Sequence, residues 1–377
     1  MNSALSFRGS NSGGGADPPS KKGDDDPAKG WDAPPPDEGT AWPADNDTTL
    51  LLVHKRQVRQ KIGLGEEITR IAFSPSDSLI AATKKLDYSD WDSLSLYNNT
   101  KDSKALVEYR DVKASGGFAF APLPDNAIAT PYNKWLRATP ELSDRLEPSA
   151  LRPAIAIHDL EKRKKRLKRD FTVIRGPIAY SPNGRLIAGI DRQDSSRINI
   201  LGTNSNLRNL HTILHHTDEV TQLAFHPNGG SLVSISKDGW ARMTCLDSGR
   251  TLRRYEATGQ RNPKLLQISP DGELVVSIWD RTVNVWYPTT GVVNVYNLHT
   301  VRQMEGWPLC ISPNCRYLAC RTDGGFDVSD LLTGKFRGDV SGLTTDVTCA
   351  SFSSDSRSLV IGKIDGEISL YDVITVD

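Results

Sequence analysis

The stretch "QISPDGELVVSI", residues 267–278, places the tetrad Ser-Pro-Asp-Gly between two apolar runs. Proline presets φ for the second position of a β-turn, aspartate is tolerated at the third position, and glycine relieves the fourth. The stretch therefore predicts a tight hairpin corner that joins two β-strands.

Six further copies of this corner occur along the chain. Four keep most of the tetrad and two are looser; the copies lie at residues 74–77, 121–122, 181–184, 226–229, 312–315 and 353–355. The second residues of the seven corners are 47, 60, 45, 43, 43 and 41 residues apart. A period in the low forties with about four short strands per unit is typical of a propeller blade, whereas helical repeats require a 3.6-residue periodicity. Seven corners predict seven blades.

Each unit continues in the same order after its corner. The second strand ends at another tight turn, as at Asp238-Gly239, Asp323-Gly324 and Asp365-Gly366. Asp-Gly is a strong hairpin signal. A third strand, a glycine-containing turn and a shorter outer strand follow. We therefore predict an all-β fold, a seven-bladed β-propeller of four-stranded antiparallel blades.

The chain resembles the WD-repeat β-propeller family over residues 48–377. The motifs that carry the resemblance are "HTDEV" (216–220), the Ser-Pro-Asp/Asn-Gly corners and the Asp-Gly hairpins. No unit keeps the family's full Trp-Asp pair at the end of the third strand, where this sequence has Tyr97-Asn98, His158-Asp159, Leu201-Gly202, Thr244-Cys245, Trp286-Tyr287, Ser329-Asp330 and Tyr371-Asp372. The resemblance also implies a hydrogen-bonded set that braces a blade, approached here by His216, Ser236 and Asp238, with Thr244 in place of the tryptophan.

The ends of the chain predict how the ring closes. The last unit reaches the end of its third strand near Asp372, and the remaining five residues are too few for a fourth strand. The segment "TLLLVHKRQVRQKI", residues 49–62, has strand character but no corner of its own. Because a propeller must hide its strand edges, we expect this N-terminal strand to complete the last blade.

Residues 1–47 contain seven prolines, seven glycines, four basic and nine acidic residues, but only Leu5 and Phe7 from the Leu/Ile/Val/Phe set. Such a composition does not offset the entropy of ordering. We expect a disordered acidic tail before a propeller domain of residues 48–377, which carries an insertion at about residues 130–153.

Composition narrows the class of protein. Basic and acidic residues number 46 each, so global charge gives no case for nucleic acid or an anionic membrane. The sequence shows neither a secretory signal nor an apolar run long enough to cross a bilayer. Five cysteines are an odd number, which suits reduced thiols. We expect a cytoplasmic protein, or a nuclear one if a signal directs it there.

Catalytic and metal-binding motifs are missing from the sequence. Neither a nucleophile elbow, nor His-Glu-x-x-His, nor a phosphate loop occurs. The spacing of Cys310, Cys315 and Cys320 fits buried thiols better than a zinc set, and the pair His215-His216 occupies the repeat's structural histidine position. We therefore expect no enzyme, no metal site and no cofactor; a propeller hydrolase with side chains around the central channel is the weakest alternative.

A dense basic run follows the third strand of the second unit. Its seven basic residues are Lys162, Arg163, Lys164, Lys165, Arg166, Lys168 and Arg169. Three interpretations remain open: a solvated strand edge that discourages pairing, a nuclear-import signal, and an anion-binding patch for phosphoinositide or nucleic acid.

A second basic element is "TLRRYE", residues 251–256. Phosphoinositide-binding propellers carry a Phe/Leu-Arg-Arg-Gly motif at a similar place, and Leu252, Arg253 and Arg254 match it, whereas Tyr255 replaces the glycine. The sequence favours an ordinary outer strand here. Phosphoinositide recognition through Arg253 and Arg254 is the alternative, with peripheral membrane association as its consequence.

Tryptophans in the loops give the candidate partner-binding surface. In such propellers the hairpin between the second and third strands projects to the face where peptides commonly dock, and we expect Trp91, Trp135, Trp240 and Trp307 on that face. Tryptophan beside arginine makes a good interface anchor. The favoured function is a non-enzymatic scaffold or adaptor that presents a propeller face to protein partners.

Overall fold

A computed structural model describes residues 49–59, 67–85, 92–100, 105–112, 117–125, 127–135, 151–160, 164–170, 174–191, 193–257, 260–280, 282–297, 308–331 and 336–376. Every regular secondary-structure element within these ranges is a β-strand. The tail predicted for residues 1–47 and the middle of the predicted insertion, residues 136–150, lie outside the described residues.

The strands fall into seven groups of four, which we number as blades in chain order. Blade 1 contains β2 (Ile68–Phe73), β3 (Leu79–Lys85), β4 (Asp92–Asn98) and β5 (Val107–Val112). Blade 2 contains β6 (Ala119–Phe120), β7 (Ala127–Trp135), β8 (Leu151–Asp159) and β9 (Lys164–Asp170). Blade 3 contains β10 (Ile174–Tyr180), β11 (Leu186–Asp191), β12 (Ile198–Gly202) and β13 (Arg208–Ile213).

The second half of the chain repeats this arrangement. Blade 4 contains β14 (Val220–Phe225), β15 (Ser231–Ser236), β16 (Trp240–Cys245) and β17 (Thr251–Glu256). Blade 5 contains β18 (Pro263–Ile268), β19 (Val275–Trp279), β20 (Thr282–Tyr287) and β21 (Val292–Asn297). Blade 6 contains β22 (Pro308–Ile311), β23 (Tyr317–Thr322), β24 (Gly325–Asp330) and β25 (Phe336–Val340). Blade 7 contains β26 (Val347–Phe352), β27 (Ser358–Lys363), β28 (Ile368–Val376) and β1 (Thr49–Arg59).

Every blade is antiparallel, with its strands in sequence order from the centre outward, and β1 takes the outer place in blade 7. Blades 1 and 2 are also joined by one backbone pairing, between Val112 of β5 and Tyr132 of β7. The prediction of a seven-bladed propeller with four-stranded antiparallel blades is confirmed.

The corner turns close as the sequence predicts. In blade 3 the Gly184 amide donates to the Ser181 carbonyl at 2.9 Å, and the Ser181 hydroxyl accepts from the Leu186 amide at 2.9 Å. Gly184 has φ +69°, the left-handed conformation that glycine adopts without a steric penalty. Cys315 takes the same place in blade 6 with φ +57°. The serine side chain thus satisfies a backbone donor inside each corner of this type.

The core is divided among the gaps between blades. Seven clusters of buried apolar side chains occur in the described structure, and each combines residues from two neighbouring blades. One cluster joins blade 7 to blade 1, where Val58 and Ile368 pack with Ile68 and Tyr97. An open row of seven blades would have only six such contacts. The blades therefore form a closed ring.

Closure depends on the strand predicted from residues 49–62. β1 pairs with β28 from Thr49 opposite Val376 to Arg59 opposite Ile368. The buried guanidinium of Arg59 also donates from Nη1 to the Gly366 carbonyl at 2.9 Å. The prediction that an N-terminal strand completes the last blade is confirmed, because β1 covers the edge that β28 would otherwise expose.

The hairpin at the predicted insertion is longer than the sequence suggests. β7 continues to Trp135 and β8 begins at Leu151, so that these two residues are cross-strand partners. Pro131 and Pro153, which indicate loop ends in the sequence, lie inside the two strands. Proline is tolerated in a strand where its missing N–H is not needed for the ladder.

The alternation of turns defines two faces of the ring. Each corner joins a first strand to a second, and each following hairpin joins the second strand to a third. Since the strands are antiparallel, the corners and these hairpins lie at opposite ends of every blade. We call the two sides the corner face and the hairpin face. Trp240, the first residue of β16, lies at the hairpin face.

Candidate docking site on the fourth blade

A buried histidine organises the hairpin end of blade 4. Nδ1 of His216 lies 2.9 Å from Oδ2 of Asp238, and Nε2 lies 2.8 Å from Oγ of Ser234. A carboxylate only accepts hydrogen bonds, so Nδ1 of His216 carries the proton and donates it. In the neutral ring Nε2 then accepts from the Ser234 hydroxyl.

The prediction that Ser236 is the serine of this set is wrong. Ser236 donates its hydroxyl to the Asp218 carbonyl at 2.9 Å, and Ser234 takes the place beside His216. The two serines are separated by one residue of β15 and therefore point to the same face of the strand. Sequence alternation alone therefore does not show which serine contacts His216. The choice depends on how far the imidazole extends into the blade.

The Asp238 carboxylate accepts several hydrogen bonds. Its Oδ1 accepts the Trp240 amide at 2.9 Å, and Oδ2 accepts the Thr217 amide at 3.1 Å in addition to the imidazole of His216. Burial by itself would raise the pKa of Asp238, but the hydrogen bonds from His216, Trp240 and Thr217 outweigh it and lower the pKa to about 2. The carboxylate is thus ionised and fixes the start of β16.

The neighbouring His215 is also occupied. Its Nε2 lies 3.1 Å from Oγ1 of Thr244, and its ring meets the His216 ring edge-on at a centroid distance of 5.1 Å. Burial, with the charges of His216 and Arg242, lowers the pKa of His215 to about 3. No group of three or more metal-ligating side chains occurs within the described ranges. Both rings of the pair His215-His216 thus hydrogen-bond within blade 4.

Four side chains form a compact surface outside this network. In β16 and β17, Trp240 lies directly opposite Glu256, and Arg242 lies directly opposite Arg254. The Arg254 guanidinium carbon lies over the Trp240 ring, 5.0 Å from its centroid, and that of Arg242 lies over the same ring at 5.3 Å. We call these four residues the Trp240 square. Distances of this size are typical of cation–π contacts.

The square is held from beneath by the histidine network. Nη2 of Arg242 lies 3.9 Å from Oδ2 of Asp238, and the Arg242 side chain is only 11% exposed. Arg261 donates a hydrogen bond from Nη1 to the Asp238 carbonyl. Trp240 and Arg254 are half-buried and Glu256 is exposed. A partly exposed tryptophan is thereby fixed in orientation by buried polar groups.

Sequence patterns single out Trp240 and Arg254 separately but do not predict the contact between them. Arg242 and Glu256 were not singled out at all, although strand alternation places Trp240 and Arg242 on one face of β16. The cross-strand register that brings Arg254 opposite Arg242 includes a bulge between Met243 and Thr244. Because a bulge shifts the pairing by one residue, the register is not readable from the sequence.

Arg253 and Arg254, the predicted lipid-binding pair, point to opposite faces of β17. Arg253 donates from Nε to the Pro288 carbonyl of blade 5 at 3.2 Å, whereas Arg254 lies over Trp240. Successive residues of a strand point to opposite faces of the sheet. The structure therefore does not bring these two arginines together at one site.

The remaining candidate tryptophans are only partly placed. Trp135 ends β7 and pairs with Leu151, which puts its backbone at the hairpin face with that of Trp240. Trp91 and Trp307 lie outside the described residues. The four tryptophans thus yield two backbone positions on the hairpin face, one of which, Trp240, has a defined side-chain environment.

Most of the basic run belongs to an outer strand. Residues 164–169 lie in β9, which pairs with β8 from Asp159 opposite Lys164 to Ala154 opposite Asp170. Lys162 and Arg163 lie outside the described residues. The backbone of the run is therefore hydrogen-bonded along one side, at the outer edge of blade 2.

The three evenly spaced cysteines of blade 6 are wholly or partly buried. All five are free; Cys315 and Cys320 are buried, and Cys310 is half-buried. Burial raises the pKa of Cys315 to about 12 and that of Cys320 well above its usual value.

The described part of the chain shows no helix long and apolar enough to span a membrane.

Comparison with known proteins agrees with this geometry. The family model for the WD domain, G-beta repeat, matches residues 207–243 and 332–372. Each match begins at or just before the outer strand of one blade and extends into the third strand of the next. The sequence repeat is therefore offset by one strand from the blade, as the closure of blade 7 by β1 requires.

Three relatives cover parts of the chain. Periodic tryptophan protein 2 of Arabidopsis thaliana is 24% identical over 200 residues, 52% of this chain and 22% of that protein. Its homolog in Dictyostelium discoideum is 24% identical over 203 residues, again 52% and 22%. WD repeat-containing protein SL1-17 of Schistosoma mansoni is 27% identical over 180 residues, 45% of this chain and 56% of that protein. The matched part spans about a fifth of the first two relatives.

The seven-bladed ring, the two matched repeats and these relatives support a WD-repeat β-propeller family for the chain. Propellers of this family typically act as non-enzymatic scaffolds for protein partners. This general role is consistent with the described site, where the polar side chains hold one another in place around Trp240.

Proposed function

We propose that the protein is a non-enzymatic scaffold or adaptor that docks protein partners on the hairpin face of its propeller, with Trp240 as an anchor. The observation that carries this proposal is the half-buried Trp240 under two arginines, held by the His216–Asp238 network. Aromatic and arginine side chains in fixed positions dominate the binding energy of protein interfaces.

Rigidity supports this role. Buried clusters fill every gap between blades, so the hairpins of neighbouring blades keep fixed positions relative to one another. A partner that docks on such a face loses little binding energy to ordering the scaffold. The proposed docking unit is the propeller of residues 48–377, with Trp135 as a second proposed contact on the hairpin face.

The test is quantitative affinity-purification mass spectrometry of the intact protein, a Trp240→Ala variant and a Leu252→Ala variant. Leu252 is the matched control because it is an exposed apolar residue of the same blade, 42% accessible, outside the Trp240 square. Urea unfolding midpoints first establish that both variants remain folded.

An anchor tryptophan contributes about 2 kcal/mol or more to binding, which corresponds to a loss of about 30-fold in affinity. We expect reproducible partners to be depleted with Trp240→Ala and retained with Leu252→Ala. A set of partners that is the same for all three proteins would refute docking through Trp240.

A further inference from the structure

The Trp240 square contains an unfavourable arrangement of charge. Arg242 and Arg254 are direct cross-strand neighbours on one face of blade 4. Like charges placed opposite each other destabilise an antiparallel pair. Their contacts with the Trp240 ring partly offset this repulsion, since the face of an aromatic ring attracts cations.

The charges around the square leave a small positive excess. The cations are Arg242, Arg254 and Arg261, and the anions are Asp238 and Glu256. Asp238 is buried and directed towards the His216 imidazole and Arg242. The net charge of this group is therefore +1. Arg261 is exposed and donates to the Asp238 carbonyl, whereas Arg254 is the more accessible of the two cations over the Trp240 ring, because Arg242 is only 11% exposed.

We propose that the Trp240 square binds a carboxylate of an acidic segment in a protein partner, with Arg254 as the main electrostatic contact and Trp240 as the apolar contact. This inference rests on the proposed function and names the chemistry of its partner. A planar guanidinium matches a carboxylate in charge and hydrogen-bond geometry, and a neighbouring apolar group of the partner gains contact with the indole.

The same charges argue against a phosphate group. A phosphate monoester carries about two negative charges at neutral pH, whereas the excess in the square is a single positive charge. Glu256, directly opposite Trp240 and exposed, would repel a dianion. Arg253 is directed to the Pro288 carbonyl of blade 5 and adds no further guanidinium to those of Arg242 and Arg254 on this face.

The test is fluorescence anisotropy with the intact protein and a labelled octapeptide, Gly-Glu-Leu-Glu-Glu-Leu-Glu-Gly. A second octapeptide has glutamine in place of every glutamate. Binding is measured for the wild type, Arg254→Gln and Arg253→Gln. The last is the matched control, since it removes the same charge from the adjacent residue of β17 on the opposite face of the blade.

A hydrogen bond to a charged group is worth about 1.5–3 kcal/mol, so we expect the glutamate peptide to bind about tenfold more tightly than the glutamine peptide. Arg254→Gln removes this preference and Arg253→Gln retains it. Equal binding of the two peptides to the wild type, or equal loss in both variants, overturns the proposal. Vesicles with 5% phosphoinositide that bind in an Arg254-dependent manner, without a preference for the glutamate peptide, also overturn it in favour of a lipid headgroup.

The two proposals fail in different ways. If Trp240→Ala depletes partners but the peptide preference is absent, the docking site stands and its acidic chemistry is wrong. If Trp240→Ala leaves every partner in place, the docking site itself is wrong. A preference for the glutamate peptide that Arg254→Gln abolishes supports the carboxylate site, whichever result the purification experiment gives.

Discussion

Acidification should destabilise the propeller through His215. Burial, followed by the charges of His216 and Arg242, lowers the pKa of His215 to about 3 in the folded protein, whereas its ordinary value is 6.5. Between these two values the unfolded chain binds a proton that the folded chain does not bind. By linkage, stability is fully present above the unfolded pKa and falls as the pH decreases below 6.5.

The magnitude follows from the two pKa values. From pH 7 to pH 5 the unfolded imidazole becomes almost fully protonated and the folded His215 stays neutral, which costs about 2 kcal/mol of unfolding free energy. The lowered pKa of His216, which arises first from burial, acts in the same direction. Asp238, with a pKa of about 2, contributes stability that is lost only as the pH falls below 3.8, outside this interval.

Urea unfolding at pH 7, 6 and 5 measures this effect. His215→Gln keeps a group that hydrogen-bonds Thr244 but does not titrate, so the variant should lose about 2 kcal/mol less than the wild type between pH 7 and 5. His211→Gln, at an exposed position of β13, is the matched control and should keep the wild-type slope. If the wild type and His215→Gln show the same pH dependence, the burial of His215 described here is wrong.

Three further predictions concern stability and reactivity. Ser234→Ala removes the hydroxyl that donates to His216 and should lower the free energy of unfolding by about 1–2 kcal/mol, measured by urea denaturation, whereas no change would contradict the assignment of Ser234 to the network. Removal of residues 1–59 exposes the edge of β28, so light scattering should show self-association that removal of residues 1–48 does not cause; a monomer in both cases would contradict closure by β1. In native alkylation followed by mass spectrometry, Cys245, whose pKa is lowered by the hydrogen bond from Ser248, should react before Cys320, whose pKa burial raises; the opposite order would contradict the burial pattern.

The sequence predicts the architecture because turn chemistry is local. Six of the seven corners have a residue with a left-handed backbone at the fourth position, as Gly184 and Gly272 do in the repeating tetrad. Six of the seven third strands also end where the sequence places them, as β20 does at Tyr287, whereas β28 continues past Asp372 to Val376, along its pairing with β1. Ring closure by β1 was predictable for a different reason. The last unit lacked a fourth strand, and the strand expected at residues 49–62 had no partner strand in a unit of its own.

The candidate site was less predictable because it depends on distances across strands. Trp240 stood out by residue type, but its contacts with Arg242 and Arg254 arise from a register that a bulge shifts. Ser234 and Ser236 have the same alternation and differ only in how far each lies from His216. Such details follow from packing between β14, β15 and β16, which local sequence signals do not encode.

The proposed docking face also bears on how the chain relates to its larger relatives. The alignments cover 22% of each Periodic tryptophan protein 2 relative and 52% of this chain, which is about half of the propeller and its tail together. The matched repeat at residues 207–243 includes His216, Ser234 and Trp240. The Trp240 anchor of the proposed docking site on blade 4 thus lies within a part of the chain that matches the repeat model.

The most direct test of docking on the hairpin face is site-specific photocrosslinking in cells. The photoreactive residue p-benzoylphenylalanine replaces exposed Glu256, which lies opposite Trp240, or Leu123, which is 61% exposed in the corner turn of blade 2 on the opposite face. Docking on the hairpin face predicts discrete crosslinked partners from position 256 that are absent from position 123 and lost when Trp240→Ala is added. The same partners from both positions, or partners from position 123 alone, would contradict it.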